Sequence, residues 1–498
     1  MPRDVTTVSD SGNTGVKVKV GGVQCGAMSF FHVKTLPGYE WPPLADATIS
    51  QVWVACQELD RAQWLDASVI QQGQLEQVRE LLAHCITNVP YYREVLPRAG
   101  IAPGAIQTLA DFRRIPLLPR RTYQEKLESF AAHQLPPGTV ATRVSLTSGS
   151  SGTPTTVLQT NLVHLWWFAF FLRDLEWSGI DPTGTLASIR STGRRQGAAL
   201  QELLQGAAQP NWSAELDSMI VTGPSHVMDI QQDHRVQLQW LRRIAPDYLL
   251  SYPANLEALA AMARSGDGAD RPLPSLKAIL AISDTLGEET QKTIEHAFGV
   301  PVKNTYSCAE AGYLASPCPA GHGLHVHSEN VILEVLDEQD QPCAPGQTGR
   351  VVVTHLHNYR GPFIRYELGD EATLGPAACP CGRGLPLLAR VQGKNSPMFH
   401  LPGGRRKSSA ILARLLRKLG GHWQHQVVQK AEDHVLVRLA SDGSWTPKHA
   451  EALQRAVQSF FETTIRVEVE LHDRLVVPAS GKFQNMINEI KQPAGKGA

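Results

Sequence analysis

Val144-Ser145-Leu146-Thr147-Ser148-Gly149-Ser150-Ser151-Gly152-Thr153-Pro154-Thr155-Thr156 is crowded with small and hydroxylated residues. Glycine lets a backbone approach an anion closely, successive N–H groups form an anion-binding concavity, and Ser/Thr hydroxyls add donors. The run therefore predicts a loop that handles nucleotide phosphates. It lacks the Gly-Lys-Ser/Thr ending of a Walker A loop, which argues against a P-loop NTPase. Composition alone also allows a plain polar surface loop.

Two later segments separate these readings. The stretch from Phe298 to Gly312 carries Tyr306 and Glu310, four residues apart, and Val351-Val352-Val353-Thr354 leads into Pro362-Phe363-Ile364-Arg365-Tyr366-Glu367-Leu368-Gly369-Asp370. Ser480-Gly481-Lys482-Phe483 stands near the end. Taken in order, these elements resemble the adenylate-forming superfamily of acyl-CoA synthetases, and within it the phenylacetate-CoA ligase and capsule-biosynthesis branch. The resemblance runs from about Gln74 to Ile490. It includes Asn88, Pro90, Tyr91, Tyr92 and Arg93, and then Pro116-Leu117-Leu118-Pro119, which that branch places ahead of the phosphate loop.

Composition agrees with an enzyme of this kind. The chain has 498 residues, whereas single cores rarely grow beyond about 250 to 300, so more than one domain is expected. Lys plus Arg and Asp plus Glu number 47 each, which gives no electrostatic reason to expect nucleic acid or an anionic membrane as partner. The run Leu162 to Leu172 is too short and too aromatic to cross a bilayer and reads as a buried helix near the acyl pocket. Met1-Pro2-Arg3-Asp4 opens no apolar signal core, so the cytoplasm is the expected location. A homodimer is compatible with the sequence.

Punctuation gives the organisation. Residues 1–45 mix Gly, Ser, Thr and Pro and predict an irregular leader. Helical spacing from Gln74 through Leu96 opens a large layered α/β adenylation domain over 46–392, in which β-rich runs such as Leu276 to Ile282 alternate with helical ones such as Glu288 to Phe298. Residues 393–398 read as a hinge. A small C-terminal α+β domain over 399–498 follows, with a helix near Ser408 to Leu419 and strands around Val427, Val435 to Leu439 and Arg466 to Leu471. His422, Trp423 and His425 read as surface residues. No internal repeat is evident.

The resemblance implies attack of a carboxylate on the α-phosphate of ATP, giving an acyl-adenylate and pyrophosphate. The acyl group then passes to coenzyme A or, as a second choice, to an amine. Thr147, Ser148, Gly149, Ser150, Ser151, Gly152 and Thr153 would bind the phosphates by hydrogen bonding. Glu310 would hold Mg²⁺, Tyr306 would pack beside adenine, Asp370 would accept the ribose hydroxyls, and Arg365 and Lys394 would support the nucleotide. Lys482 would bridge the carboxylate and α-phosphate oxygens. Trp166, Trp167, Phe170, Phe171 and Tyr252 hint at an aromatic or otherwise apolar acid, although such a run is equally ordinary core. Cys308 reads as a small pocket-lining residue, with a nucleophilic role as the lesser alternative. A homologue that binds nucleotide without turnover is the alternative from another class, and retention of Glu310, Asp370 and Lys482 argues against it.

Of eight cysteines, Cys318, Cys379 and Cys381 accompany His325, a thiolate and imidazole set that suits tetrahedral Zn²⁺ and resembles a structural site of the branch. His322 and His327 are alternative ligands, and reduced, unligated thiols are the other reading. Two departures stand out. Thr153 replaces a lysine usual in the phosphate loop, and Gly393-Lys394-Asn395-Ser396-Pro397 replaces the usual Gly-Arg-x-Asp-Asp hinge, with lysine unable to copy arginine's bidentate fork and proline stiffening the backbone.

Overall fold

The computed structural model describes residues 31–32, 34–36, 44–146, 155–192, 197–264, 273–284, 286–392, 398–401, 405–417, 419–441, 443–477 and 483–490. Thr147 to Thr153, Lys394, Lys482, most of the expected leader and residues 393–397 of the expected hinge lie outside them.

The chain opens on helices α1 (Ala47–Ala62), α2 (Ala67–Asn88) and α3 (Pro90–Arg98). The helical spacing from Gln74 to Leu96 thus belongs to two helices. Val89 leaves helical geometry at φ −112° and ψ 109°, and Pro90, with no N–H to donate, is the first residue of α3. Leu81, Leu82 and Cys85 of α2 enter the largest apolar core together with Phe112, Tyr123, Phe363 and Tyr366. Helix α4 (Arg120–Glu125) follows Pro119.

Strands β1 (Ala141–Leu146) and β2 (Thr156–Thr160) pair antiparallel, with Leu146 opposite Thr156, so both ends of the Ser/Thr/Gly loop are held together. Helix α5 (Asn161–Ser178) contains the aromatic run and ends where Gly179 turns left-handed at φ +66°. Phe168, Phe170, Leu172 and Leu175 are buried in a core shared with α1, and Trp166 stacks on His357 at 4.7 Å. Most of this run builds core. Among the described residues no helix is long and apolar enough to cross a membrane.

A six-stranded sheet follows, built from β3 (Leu186–Arg190), β4 (Ala207–Gln209), β5 (Ser225–Asp229), β6 (Tyr248–Ser251), β7 (Ala278–Ala281) and β8 (Val302–Asn304) in the order β4-β5-β3-β6-β7-β8. All its pairings are parallel except that of edge strand β4. Helices α6 (His234–Ile244), α7 (Pro253–Arg264) and α8 (Glu288–Phe298) make the crossovers.

An antiparallel seven-stranded sheet comes next, from β9 (Tyr306–Cys308), β10 (Gly312–Pro317), β11 (Leu324–Val326), β12 (Val331–Leu336), β13 (Thr348–His355), β14 (Tyr366–Leu374) and β15 (Leu387–Gln392). Its order is β12-β13-β14-β15-β11-β10-β9.

Beyond it, the short pair β16 (Met398–His400) and β17 (Arg406–Ser408), helix α9 (Ala410–Arg417), β18 (Gln424–Ala431), β19 (His434–Ala440), α10 (Pro447–Phe461), β20 (Arg466–His472) and β21 (Met486–Asn488) include a four-stranded sheet in the order β20-β19-β18-β21. This region has a core of its own around Phe399, Leu412, Val437, Phe460 and Phe461. The fold is α/β, as the sequence suggested.

One expectation is reversed. Trp423 and His425 are buried, with Trp423 in an apolar cluster with Ala258 of α7, Ala440, Leu475 and Phe483 and with the Arg235 guanidinium 5.4 Å above its ring. The polar surroundings of these residues in sequence concealed a packing partner more than a hundred residues away.

Candidate nucleotide and metal sites

Glu310 lies in the tight turn between β9 and β10, where Cys308 pairs with Gly312 and Gly312 takes φ +67°, a left-handed geometry suited to glycine. The turn is held from inside. Cys308 Sγ accepts from Ala311 N at 3.3 Å, and the buried His355 ring hydrogen-bonds the Glu310 backbone. Glu310 is only 3% exposed. Tyr366 Oη donates to its Oε1 at 3.4 Å, and the Arg120 guanidinium of α4 lies 3.4 Å from the same oxygen.

The end of the Ser/Thr/Gly loop meets this cluster. Gln124 Nε2 of α4 donates to Thr155 Oγ1 at 3.0 Å, and Thr155 also hydrogen-bonds Tyr366. Tyr306 Oη donates to Asp370 Oδ2 at 2.9 Å. Burial, followed by the Asp370 charge, holds the Tyr306 phenol well above its ordinary pKa and keeps it a donor. Tyr306, Glu310 and Asp370 thus share one region with the loop's last residue. Arg120 and Gln124 join them without having been singled out in the sequence. Their signal was Pro119-Arg120-Arg121 just after the second proline, and nothing local says which arginine turns inward.

Cys308, near Glu310, has its thiol pKa pushed well up by burial and then by that carboxylate, which disfavours the thiolate. Arg365 departs from expectation. Its guanidinium is buried against Glu334 at 2.9 and 3.2 Å and donates to the carbonyl oxygens of Arg113 and Ile115 at 2.6 and 2.7 Å. It ties the segment ahead of α4 to β12 and β14, and four of the five N–H donors of the fork are engaged within the fold. Arg365 itself sits at φ +46°. Tyr252 stands at the end of β6, where its Oη accepts from Ser191 N at 3.2 Å.

The sulfur and imidazole atoms of Cys318, His325, Cys379 and Cys381 all lie within 4.8 Å of one another. Cys318 Sγ and Cys379 Sγ are 3.9 Å apart, well beyond the roughly 2.05 Å of a disulfide. His325 Nδ1 is 3.1 Å from the Leu385 carbonyl, which leaves Nε2 facing Cys381 Sγ at 3.2 Å. A carbonyl on one ring nitrogen fixes the tautomer that offers the other nitrogen as a ligand. His327 belongs elsewhere, between Ser316 at 2.9 Å and Arg173 at 3.3 Å. Of the three candidate histidines, geometry selects His325.

The family described as AMP-binding enzyme matches residues 212–361. Phenylacetate-coenzyme A ligase of Thermus thermophilus is 26% identical over 339 residues, covering 66% of this chain and 71% of that protein. Its counterpart from Aromatoleum evansii is 24% identical over 417 residues, covering 80% and 89%. The crystal structure of 2-hydroxyisobutyryl-CoA ligase in the postadenylation state, in complex with R3-HIB-AMP, has a TM-score of 0.64 at 21% identity and covers 86% of this chain and 92% of that one. That last likeness is one of fold.

Proposed function

We propose that this chain is a member of the adenylate-forming superfamily, on its phenylacetate-coenzyme A ligase-like branch, and an AMP-forming ligase that activates a carboxylic acid with ATP and transfers the acyl group to coenzyme A. In the first step a carboxylate oxygen attacks the α-phosphorus, the bond to the β-phosphate oxygen breaks, and pyrophosphate leaves. In the second the thiol sulfur of coenzyme A attacks the acyl carbon, its proton passes to solvent and AMP departs. The observation that carries this reading is the convergence of Glu310, the Tyr306–Asp370 pair and Thr155 on one region of the fold. The alternative amine acceptor and the non-catalytic role are not favoured, because the matched relatives are coenzyme A ligases.

In this reading Asp370 binds the ribose hydroxyls, and Tyr306 both orients that carboxylate and flanks adenine. Glu310, with its carboxylate fixed by Tyr366 and Arg120, is the residue that would hold Mg²⁺, which supplies charge neutralisation on the phosphates. Arg120 adds the cation that Thr153 leaves out of the phosphate loop. Lys482 meets the charge that develops between carboxylate and α-phosphate. Its neighbour Phe483 packs with Ala258 of α7, beside the carboxyl end of β6.

Cys318, His325, Cys379 and Cys381 fit a structural Zn²⁺. A tetrahedral ion with sulfur at about 2.3 Å sets its thiolates roughly 3.8 Å apart, close to the 3.9 Å between Cys318 and Cys379. Cys56, Cys85 and Cys343 are free thiols, which supports a reducing, cytoplasmic setting. The separate core around Phe460 supports a small C-terminal domain over 399–498, joined to the large one through 393–398.

The test is acid-dependent pyrophosphate release from ATP and Mg²⁺, followed by thioester formation when coenzyme A is added. Release without thioester would move the acceptor away from coenzyme A. ATP binding with no release for any acid would sink the ligase reading.

A further inference from the structure

Two of the polar groups that reach the Glu310 region ride on one short helix. Arg120 and Gln124 stand four residues apart on α4 and so share a face of it. From that face the Arg120 guanidinium lies 3.4 Å from Glu310 Oε1, and Gln124 Nε2 donates to Thr155 Oγ1 at 3.0 Å. The helix has little of its own to hold it there. It is six residues long, with Pro119 at its N-cap and no side-chain cap, and helices this short do not stand alone in water. Between the helical turn Leu109–Arg113 and α4 the chain carries Pro116 and Pro119.

That approach is fastened to β14 and β12. Leu118 N donates to the Arg365 carbonyl at 2.8 Å, and Glu367 N donates to the Leu118 carbonyl at 3.0 Å. The Arg365 side chain adds a second fastening on the same segment. Its Nη1 donates to the carbonyls of Arg113 and Ile115 at 2.6 and 2.7 Å, while Nε and Nη2 donate to the Glu334 carboxylate of β12 at 2.9 and 3.2 Å. One planar fork thus gathers two carbonyls just upstream of α4 and is itself anchored on a buried acid. Arg365 holds φ +46°, a costly conformation for a residue with a Cβ, and its N–H donates to Thr354 Oγ1 at 2.8 Å. Tyr366, the next residue, donates its hydroxyl to Glu310.

We propose that Arg365 is a positioning residue for adenylation: paired with Glu334, it fixes the approach to α4 and thereby sets Arg120 on Glu310 and Gln124 on Thr155. This rests on the ligase reading above, in which Glu310 and the loop that ends at Thr155 handle Mg²⁺ and phosphates. Arginine is needed because its fork serves the carboxylate and both carbonyls at once. A lysine ammonium keeps the charge beside Glu334 and cannot reproduce that planar set of donors.

The experiment is a double-mutant cycle on Arg365→Lys and Arg120→Ala in the full-length protein. It is read as kcat and KM for ATP in pyrophosphate release, and as thioester formation from a supplied acyl-adenylate. Arg365→Lys is expected to raise KM for ATP by on the order of tenfold, a modest part of what a misplaced group can cost, with little change in thioester formation. In the Arg120→Ala background the same exchange is expected to alter KM for ATP by less than about twofold, because the group it positions is gone. Glu334→Gln keeps the shape of the anchor and removes its charge. It is expected to show the same pattern, and it carries the test should the lysine variant fail to fold. Unchanged KM for ATP in both variants overturns the inference and leaves the ligase reading intact, as do effects of Arg365→Lys and Arg120→Ala that multiply in the double variant. An equal fall in both half-reactions also overturns it, by assigning Arg365 to general stability. A wild type that releases no pyrophosphate with any acid overturns both readings.

Discussion

Tyr306 donates its phenolic hydrogen to Asp370 at 2.9 Å, although their strands, β9 and β14, are separated in the sheet by β15, β11 and β10. Four strand spacings of about 4.8 Å would hold them some 19 Å apart in a flat sheet. The seven-stranded sheet is therefore curled, and the curl brings an edge strand over a central one to form the candidate nucleotide region.

Asp370→Ala should lower kcat/KM for ATP by roughly 10- to 100-fold, the worth of hydrogen bonds to a charged group. Tyr306→Phe removes one donor and leaves the carboxylate, so its effect should be a few-fold and appear mainly in KM for ATP. Steady-state kinetics at varied ATP would check both, and an Asp370 variant with unchanged ATP kinetics would remove this residue from the site.

Glu310→Gln keeps the shape of the side chain and its contact with Tyr366 but removes the charge. Pyrophosphate release should fall by at least about tenfold, and the Mg²⁺ concentration for half-maximal rate should rise, because a neutral amide is a poorer ligand for a hard cation. A Mg²⁺ titration of wild type and variant reads this directly.

Lys482→Ala should cost on the order of 10²- to 10³-fold in the adenylation half-reaction, the range seen when one charge-stabilising donor is removed from a reacting centre. Thioester formation from a supplied acyl-adenylate should be far less affected. Equal damage to both half-reactions would assign the lysine to general architecture.

Metal analysis of the purified protein should find one zinc per chain. Cys379→Ser or chelation should release it and lower Tm by several degrees, since binding at a closed site stabilises the folded chain. Activity at low temperature should survive, as the four ligands lie apart from Glu310 and Asp370 in the fold. Metal-free protein with an unchanged Tm would return these thiols to the unligated state.

Stability should fall as pH drops below about 6.5, the ordinary value for histidine. Burial pushes the pKa of His234 and of His357 down to about 4, so the unfolded chain takes up protons that the fold refuses. Their contribution is fully present above pH 6.5 and is lost progressively toward pH 4, by on the order of 3 kcal/mol for each histidine once both states are protonated. Denaturant midpoints from pH 7.5 to 4.5 in wild type and His357→Gln would show a flatter acid limb in the variant.

How legible each part was follows from how local its physics is. Helix α8 was readable to the residue, because its apolar spacing is bounded by Gly287 and by Gly299 at φ +65°. Helices α2 and α3 were read as one, because Val89 sits on the apolar face of both and only backbone geometry shows the break. Tyr306, Glu310 and Asp370 were singled out because each sits in a short motif with a characteristic neighbourhood. Arg120 was missed because α4 becomes part of the site only when packed beside β14.

The motifs and their order suggest, from the chain alone, the α/β class, the ligase chemistry proposed above and the residues proposed to carry charge in it, because these depend on residue type and local spacing. The tertiary structure decides which functional groups are free to act. It commits Arg365 to Glu334 and brings Arg120 to Glu310, it selects His325 over His327, and it lays Tyr252 across the ends of β3 and β6. Each of these outcomes depends on a partner more than thirty residues away, and no local pattern encodes which donor reaches an acceptor at that range.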